Sequence, residues 1–283
     1  MEQIGIDLCN KEDNIVSADP QPSFKTLLGF AHNLADLSGD AIRPYFRKPI
    51  TVANKAPFGA FDPVTAADEA AERAISSAIT KRWPDHGLIG EEFGNVRADA
   101  RLRWVVDPID GTRAFIMGSP LWGTLIGFLD GGRPILGLMN QPFTGERFWS
   151  SARAAHMRTG GGRARRIKTR ECSRIADAFV STTHPDLFAR GKEMDAFARL
   201  KSKARMTRYG GDCYAYCLLA AGFIDVVVEA GLKPFDVIPL IPIIERAGGR
   251  ITTWQGKPAM AGGSIVATGD PRLHEKLLSM LTR

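Results

Sequence analysis

Six carboxylates fall where a strand is expected to stop or a helix to begin. They are Asp68 after DPVTAA, Glu91 and Glu92 after LIG, Asp107 and Asp110 in RWVVDPIDGTRAFI, and Asp236 after KPF. Such groups are costly to hold near one another and near a core unless something neutralises them. A hard divalent cation does so, and oxygen donors select Mg²⁺, Mn²⁺ or Ca²⁺ over zinc. None of the five histidines, His32, His86, His156, His184 and His274, is paired at metal-ligand spacing, which again favours an oxygen-only site. Taken singly, a lone Asp after a strand is most often a turn or cap, and GEE a surface loop. DPIDGT is more informative. Pro108 fixes φ and removes a backbone donor. Gly111 allows close approach to a ligand. Thr112 stands in the first turn of an expected helix, whose free N–H groups can hold a phosphate.

The stretches DPVTAAD, GEE, DPIDGTRAF and PFDVIPLIPIIERAGG resemble, in order and spacing, the motif set of the inositol monophosphatase family, over about residues 24 to 280. That resemblance implies a Mg²⁺-dependent phosphatase, often lithium-sensitive and commonly a homodimer, acting on a small phosphate monoester. It implies a layered α-β-α-β-α sandwich of the inositol monophosphatase / fructose-1,6-bisphosphatase type. The family's last motif usually carries Trp-Asp; Phe235-Asp236 here keeps the carboxylate. By the same resemblance, Glu91, Asp107 and the carbonyl of Ile109 would hold one Mg²⁺. Asp107, Asp110 and Asp236 would hold a second, and Glu92 a third ion or its water shell, with Mn²⁺ fitting the same donors. Two such ions can activate a water and stabilise a leaving alkoxide. Thr112, hydrogen-bonded to Asp68, would orient or deprotonate that water, with Glu91 also counted among the catalytic groups. The Gly111 and Thr112 amides would bind phosphate oxygens.

Within that family the chain leans towards the histidinol-phosphate branch. It has DGTRAF rather than DGTTNF, GTRAFIMGSPLWGTLIG, and Asp212 where the inositol enzymes usually have a small residue. An added carboxylate suits a cationic alcohol through charge-assisted hydrogen bonds. Asp212 and Glu229 are therefore the substrate-end candidates, with a helix N-cap as the structural alternative for Asp212; Asp110 is counted with them at the substrate, and Arg208 as a residue to meet the phosphate or pair with an acid. An inositol-1-phosphatase of broad specificity is the runner-up. A nucleic-acid or regulatory binding protein with a vestigial metal site is the reading from another class.

These residues need elements to position them. Apolar spacing predicts helices over Phe24 to Phe46 and over TAADEAAERAISSAITKR, separated by a loop holding Pro49, Pro57, Gly59 and Pro63. GLIG and LRWVVDPID read as strands. LWGTLIGFLDGGRPILGLMNQP reads as a hairpin, and GERFWSSARAAHMRTGGG continues the meander. Then come the strand DAFVSTTH, the helix PDLFARGKEMDAFARLKSKA, MTRYGG leading into the helix DCYAYCLLAAG, and the strand IDVVVEAG. The helix PFDVIPLIPIIERAGG, the strand GSIVATG and the helix PRLHEKLLSMLT follow. This suggests an N-terminal arm (1–22), an α+β metal- and phosphate-binding half (23–160) and an α/β half (161–283) that completes the site.

The 283 residues are 44% hydrophobic and 24% charged, which argues against bulk disorder. The net charge of +6 mildly favours anionic partners. Much of the excess lies in RTGGGRARRIKTRECSR, where no aromatic residue is present to stack on bases, so a solvated basic loop or hairpin is expected and nucleic acid is not. Cys9, Cys172, Cys213 and Cys217 are too few for a disulfide scaffold, and Cys213 and Cys217 are expected as buried thiols on one helix face. No apolar run reaches the roughly 20 residues of a membrane helix, and the N-terminus lacks the pattern of a secretory signal. A cytoplasmic protein is expected.

Overall fold

Ser23 opens the first helix: its side chain accepts from the Thr26 amide, and Leu27, Ala31, Leu34 and Ala35 form the buried side that follows. This computed structural model describes residues 22–55 and 63–282. The elements in chain order are α1 (Phe24–Ile42), β1 (Val52–Asn54), β2 (Pro63–Thr65), α2 (Ala66–Arg82), β3 (Gly87–Gly90), β4 (Asn95–Val96), β5 (Leu102–Asp110) and α3 (Thr112–Ile116). A meander follows, of β6 (Gly123–Asp130), β7 (Arg133–Gln141), β8 (Glu146–Ser150), β9 (Ala155–Thr159) and β10 (Arg165–Ile167). Then come β11 (Phe179–Thr182), α4 (Lys192–Lys203), β12 (Met206–Tyr209), α5 (Asp212–Ala220), β13 (Val226–Leu232), α6 (Pro234–Val237), α7 (Leu240–Ala247), β14 (Arg250–Thr253), β15 (Gly263–Thr268) and α8 (Pro271–Leu281).

Among the described residues, one eight-stranded sheet runs β10-β9-β8-β7-β6-β5-β3-β4 and one five-stranded sheet runs β12-β11-β13-β15-β14. Three apolar clusters bind them into layers. Leu27, Leu34, Ile75 and Ile79 of α1 and α2 pack on Trp104, Val106, Phe128 and Leu138 of the large sheet. The opposite face of that sheet offers Leu125, Met139 and Phe148 to α5 and α7, which also cover Val227, Ile265 and Ala267 of the small sheet. Val180, Val226, Val228 and Val266 on the far side are closed by Phe197 and Leu200 of α4 and by Leu273 and Leu277 of α8. The order is α-β-α-β-α, the layered sandwich that the family resemblance implied.

Several local expectations need correction. The stretch before α2 is not all loop, because β1 pairs antiparallel with β2; Pro57 and Gly59 lie outside the described residues, as do Asp62 of DPVTAAD, Cys9 and the arm up to Gln21. The helix beginning at Pro185 is a short 3-10 turn, and α4 starts only at Lys192, because Gly191 at φ 88°, ψ −124° interrupts any continuous helix. PFDVIPLIPIIERAGG is two helices, since Pro239 cannot donate to a continuous ladder. The short strands β4 and β14 had no clear alternation to reveal them. No helix is long and apolar enough to cross a membrane among the described residues.

His274 on α8 shows how the small sheet is pinned. Its ring nitrogens meet the hydroxyls of Thr252 at 2.9 Å and Thr268 at 3.0 Å, and it is fully buried. Burial pushes its pKa down from 6.5 to about 4. A depressed histidine pKa contributes stability above the unfolded value and loses it as pH falls through the folded one. Between pH 6.5 and 4 this residue alone is expected to remove up to about 3 kcal/mol. Chemical denaturation across that range, for wild type and His274→Gln, checks this; equal slopes in the two proteins would contradict it.

Candidate active site

Simple alternation along β5 would place Asp107 and Asp110 on opposite faces. They share one face because the strand carries a bulge. Asp107 pairs with Leu125 and Asp110 with Gly123, so three residues of advance on β5 oppose two on β6. Ile109 turns instead into the apolar cluster of Ile42, Ala67, Ala71 and Trp122. The inward face meets α6, and carboxylate oxygens of Asp107, Asp110 and Asp236 all lie within 4.8 Å of one another. Asp236 accepts from the Lys233 amide at 2.7 Å, and Asp110 Oδ2 accepts from the Cys213 amide of α5 at 2.5 Å.

This cluster is electrostatically unfavourable by itself. Burial, and then the charges of Glu91, Asp110 and Asp236, hold Asp107 well above the usual carboxylate range. Burial and Asp236 do the same to Asp110. Asp236 is pushed up to about 7, mainly by burial. Asp107 Oδ1 is buried with no hydrogen-bond partner among the described residues. Three converging carboxylates, one with an orphaned oxygen, fit a hard divalent cation that would displace their protons and satisfy that oxygen.

The GEE turn stands beside this cluster. Glu91 and Glu92 both contact the Lys55 ammonium, at 3.1 and 3.0 Å. Burial first, and Glu91 next, push Glu92 up to about 7. The turn is held from behind by Glu72 of α2, whose carboxylate accepts from the Glu92 amide at 2.8 Å and the Phe93 amide at 3.0 Å. Gly90 makes that approach possible, since a Cβ there would lie 2.1 Å from Glu72 Oε1. Gly90→Ala is therefore expected to cost about 1–3 kcal/mol by overpacking and to weaken divalent-ion binding. Denaturation midpoints and calorimetric Mg²⁺ titration measure both effects, and an unchanged midpoint would contradict the packing argument.

Asp68 and Thr112 do not form the expected pair. Asp68 closes a capping box at the start of α2, accepting from the Thr65 amide at 2.9 Å and its hydroxyl at 2.5 Å. Thr112 donates instead to the Ile109 carbonyl at 3.0 Å. Asp68 Oδ1 has no partner among the described residues, and burial raises this acid to about 6.

Next to the acidic cluster opens a cavity of about 250 Å³, lined among others by Asp110, Thr112, Arg113, Asp212, Glu229 and Asp236. Asp212 is not the N-cap of α5: Gly211 holds that place, and Asp212 begins the helix with a left-handed φ of 42°. Asp tolerates this conformation better than most residues, at a cost of order 1 kcal/mol. A Cβ on Gly111 would stand 3.2 Å from Asp212 Cγ and 3.0 Å from the Leu121 carbonyl, so the turn before α3 closes on Asp212 only with glycine. Burial, and then Glu229, push Asp212 up to about 7. Glu229 is buried, accepting from the Thr183 amide at 2.9 Å and the Tyr216 hydroxyl at 3.0 Å.

Arg208 is not brought to the cavity; it is exposed on β12 and absent from the lining. The basic stretch forms the hairpin expected of it, pairing β10 with β9 at the sheet edge with Arg165 and Arg166 exposed. Cys213 and Cys217 are buried thiols. Lys55, Glu72, Thr183 and Tyr216 escaped the sequence reading. Two had a signal: Glu72 lies one helical turn after Asp68, and Tyr216 one turn after Asp212, each on a face that already carried a candidate.

A sequence model of the inositol monophosphatase family matches residues 24–283. The chain is 41% identical to the bifunctional phosphatase IMPL2, chloroplastic, of Arabidopsis thaliana, over 96% of this chain and 81% of that protein. It is 34% identical to a histidinol-phosphatase of Mycobacterium tuberculosis, over 77% and 84% respectively. Among solved structures it resembles an inositol monophosphatase from Zymomonas mobilis, 40% identical, with a TM-score of 0.81, covering 93% of this chain and all of that one.

Proposed function

Because the chain belongs to the inositol monophosphatase family and is a phosphatase of phosphate monoesters, we propose that it hydrolyses L-histidinol phosphate to L-histidinol and phosphate with Mg²⁺ as cofactor. The observation that carries this substrate is the second pair of carboxylates, Asp212 and Glu229, lining the cavity that the acidic cluster borders. Arg113 is the cation of this lining, set against the carboxylates Asp110, Asp212, Glu229 and Asp236, and an ester whose alcohol bears an amine and an imidazole adds positive charge to that acidic wall. Histidinol-phosphatases among the relatives point the same way.

In this reading Glu91, Asp107 and the Ile109 carbonyl would hold one ion, and Asp107, Asp110 and Asp236 would hold another. Glu92 stands by for a third or for its water shell. When bound, the ions supply fixed positive charge against the charge that develops on the phosphoryl group. The chain's own groups do the rest. The Thr112 hydroxyl, which lines the cavity, would orient the attacking water, with Glu91 of the neighbouring turn as the proposed acceptor of its proton. The Gly111 and Thr112 amides hold phosphate oxygens at the start of α3. Asp212 and Glu229 receive the ammonium end, in hydrogen bonds that fix the ester's orientation.

Inositol 1-phosphate is the second reading, favoured by the likeness to a solved inositol monophosphatase and by the acceptor capacity of Glu229 towards hydroxyls. Phosphate release from L-histidinol phosphate by chelator-treated protein tests the proposal. Release is expected to vanish with chelator and return with Mg²⁺ or Mn²⁺. Release undiminished by chelation would sink the metal assignment.

A further inference from the structure

Tyr216 is buried between the two sheets, yet it is among the residues that line the substrate cavity, and its hydroxyl donates to Glu229. The bland account is a satisfied core tyrosine. The surrounding connections are more specific. Glu229 Oε1 accepts from the Thr183 amide, and Glu229 Oε2 from the Tyr216 hydroxyl. The Thr183 hydroxyl in turn accepts from the Asp212 amide at 3.2 Å. Asp212 and Tyr216 lie one turn apart on α5. The result is a closed ring running Glu229, Thr183, Asp212, Tyr216 and back to Glu229, tying β13, the end of β11 and α5 together.

We propose that Tyr216 is a positioning residue for substrate selection: its phenol fixes Glu229 so that Glu229 and Asp212 form two preset acceptors for one primary ammonium group. This rests on the substrate reading above and deepens it. Each carboxylate oxygen accepts up to two hydrogen bonds, so Glu229 keeps acceptor capacity after its protein contacts are made. An ammonium has three donors and serves both carboxylates at once, whereas a hydroxyl has one. Holding Glu229 in place before binding removes an ordering cost from the encounter. The phenol takes no part in the chemistry at phosphorus, so its loss acts on binding of the amine and not on the turnover step.

The test compares wild type with Tyr216→Phe on two esters, L-histidinol phosphate and imidazolylpropyl phosphate, which is the same ester without its amine. Tyr216→Phe is expected to raise KM for the amine ester about tenfold, equivalent to about 1.4 kcal/mol, with kcat within about twofold. The amine-free ester should be unaffected by the substitution. Glu229→Gln, which keeps the shape and removes the charge, should narrow the preference for the amine ester over the amine-free one, whatever its effect on the latter. Equal losses on both esters would make Tyr216 a purely structural residue and overturn the inference, as would a Tyr216→Phe enzyme indistinguishable from wild type on both. A wild-type enzyme indifferent to the amine would instead overturn the substrate reading itself.

Discussion

Asp107→Asn is expected to lower kcat by about a thousandfold or more, a loss of at least about 4 kcal/mol of transition-state stabilisation. Asp107 is the carboxylate that both proposed ion sites share, and its Oδ1 has no other partner among the described residues. The substitution keeps the size of the side chain and removes the charge. It should also abolish the strongest heat of Mg²⁺ binding in calorimetry. The stability of the metal-free protein should move the other way. Burial and the neighbouring carboxylates already hold Asp107 well above its ordinary range, so a neutral amide relieves repulsion. In chelator the variant should melt no lower than wild type. Turnover within a few-fold of wild type would contradict the shared-ligand account, and a cold-melting variant would show that the lost activity was lost folding.

Asp212→Asn is expected to separate substrates. On L-histidinol phosphate kcat/KM should fall about a hundredfold, worth roughly 2.7 kcal/mol, while an aryl phosphate without a cation should change by less than about threefold. Asn is the appropriate replacement because position 212 has φ 42°. Asn tolerates left-handed backbone, whereas Ala would add strain and confuse packing with charge. A uniform loss across both esters would mean that Asp212 serves the start of α5 and not the substrate.

The elements were legible because they carry strong periodicity, whereas their α-β-α-β-α layering was implied only by the family resemblance. The buried sides of α1 and α2, and the paired strands β6 and β7 around Asp130-Gly131-Gly132, follow directly from apolar spacing and turn chemistry. The acidic residues were legible as types and positions, since several buried carboxylates have few explanations. Their shared face was not. It depends on the bulge between Asp107 and Asp110, a register shift that leaves no mark in hydrophobic pattern. Tertiary pairings were equally hidden: Lys55 reaches Glu91 across 36 positions, and Thr183 reaches Glu229 across 46. The expected Thr112 to Asp68 bond failed because local geometry offered each a nearer partner, the Ile109 carbonyl for one and the Thr65 cap for the other. Arg208 was misplaced because its strand is a sheet edge, where alternation does not say what lies beyond.

The most direct measurement is phosphate release in Mg²⁺ from L-histidinol phosphate and from myo-inositol 1-phosphate, side by side on the same preparation. A kcat/KM ratio of about a hundred or more in favour of histidinol phosphate is the result that the paired carboxylates Asp212 and Glu229 require. A ratio near one, or in favour of the inositol ester, would contradict the cation-selecting cavity and leave Asp212 as part of the helix start alone.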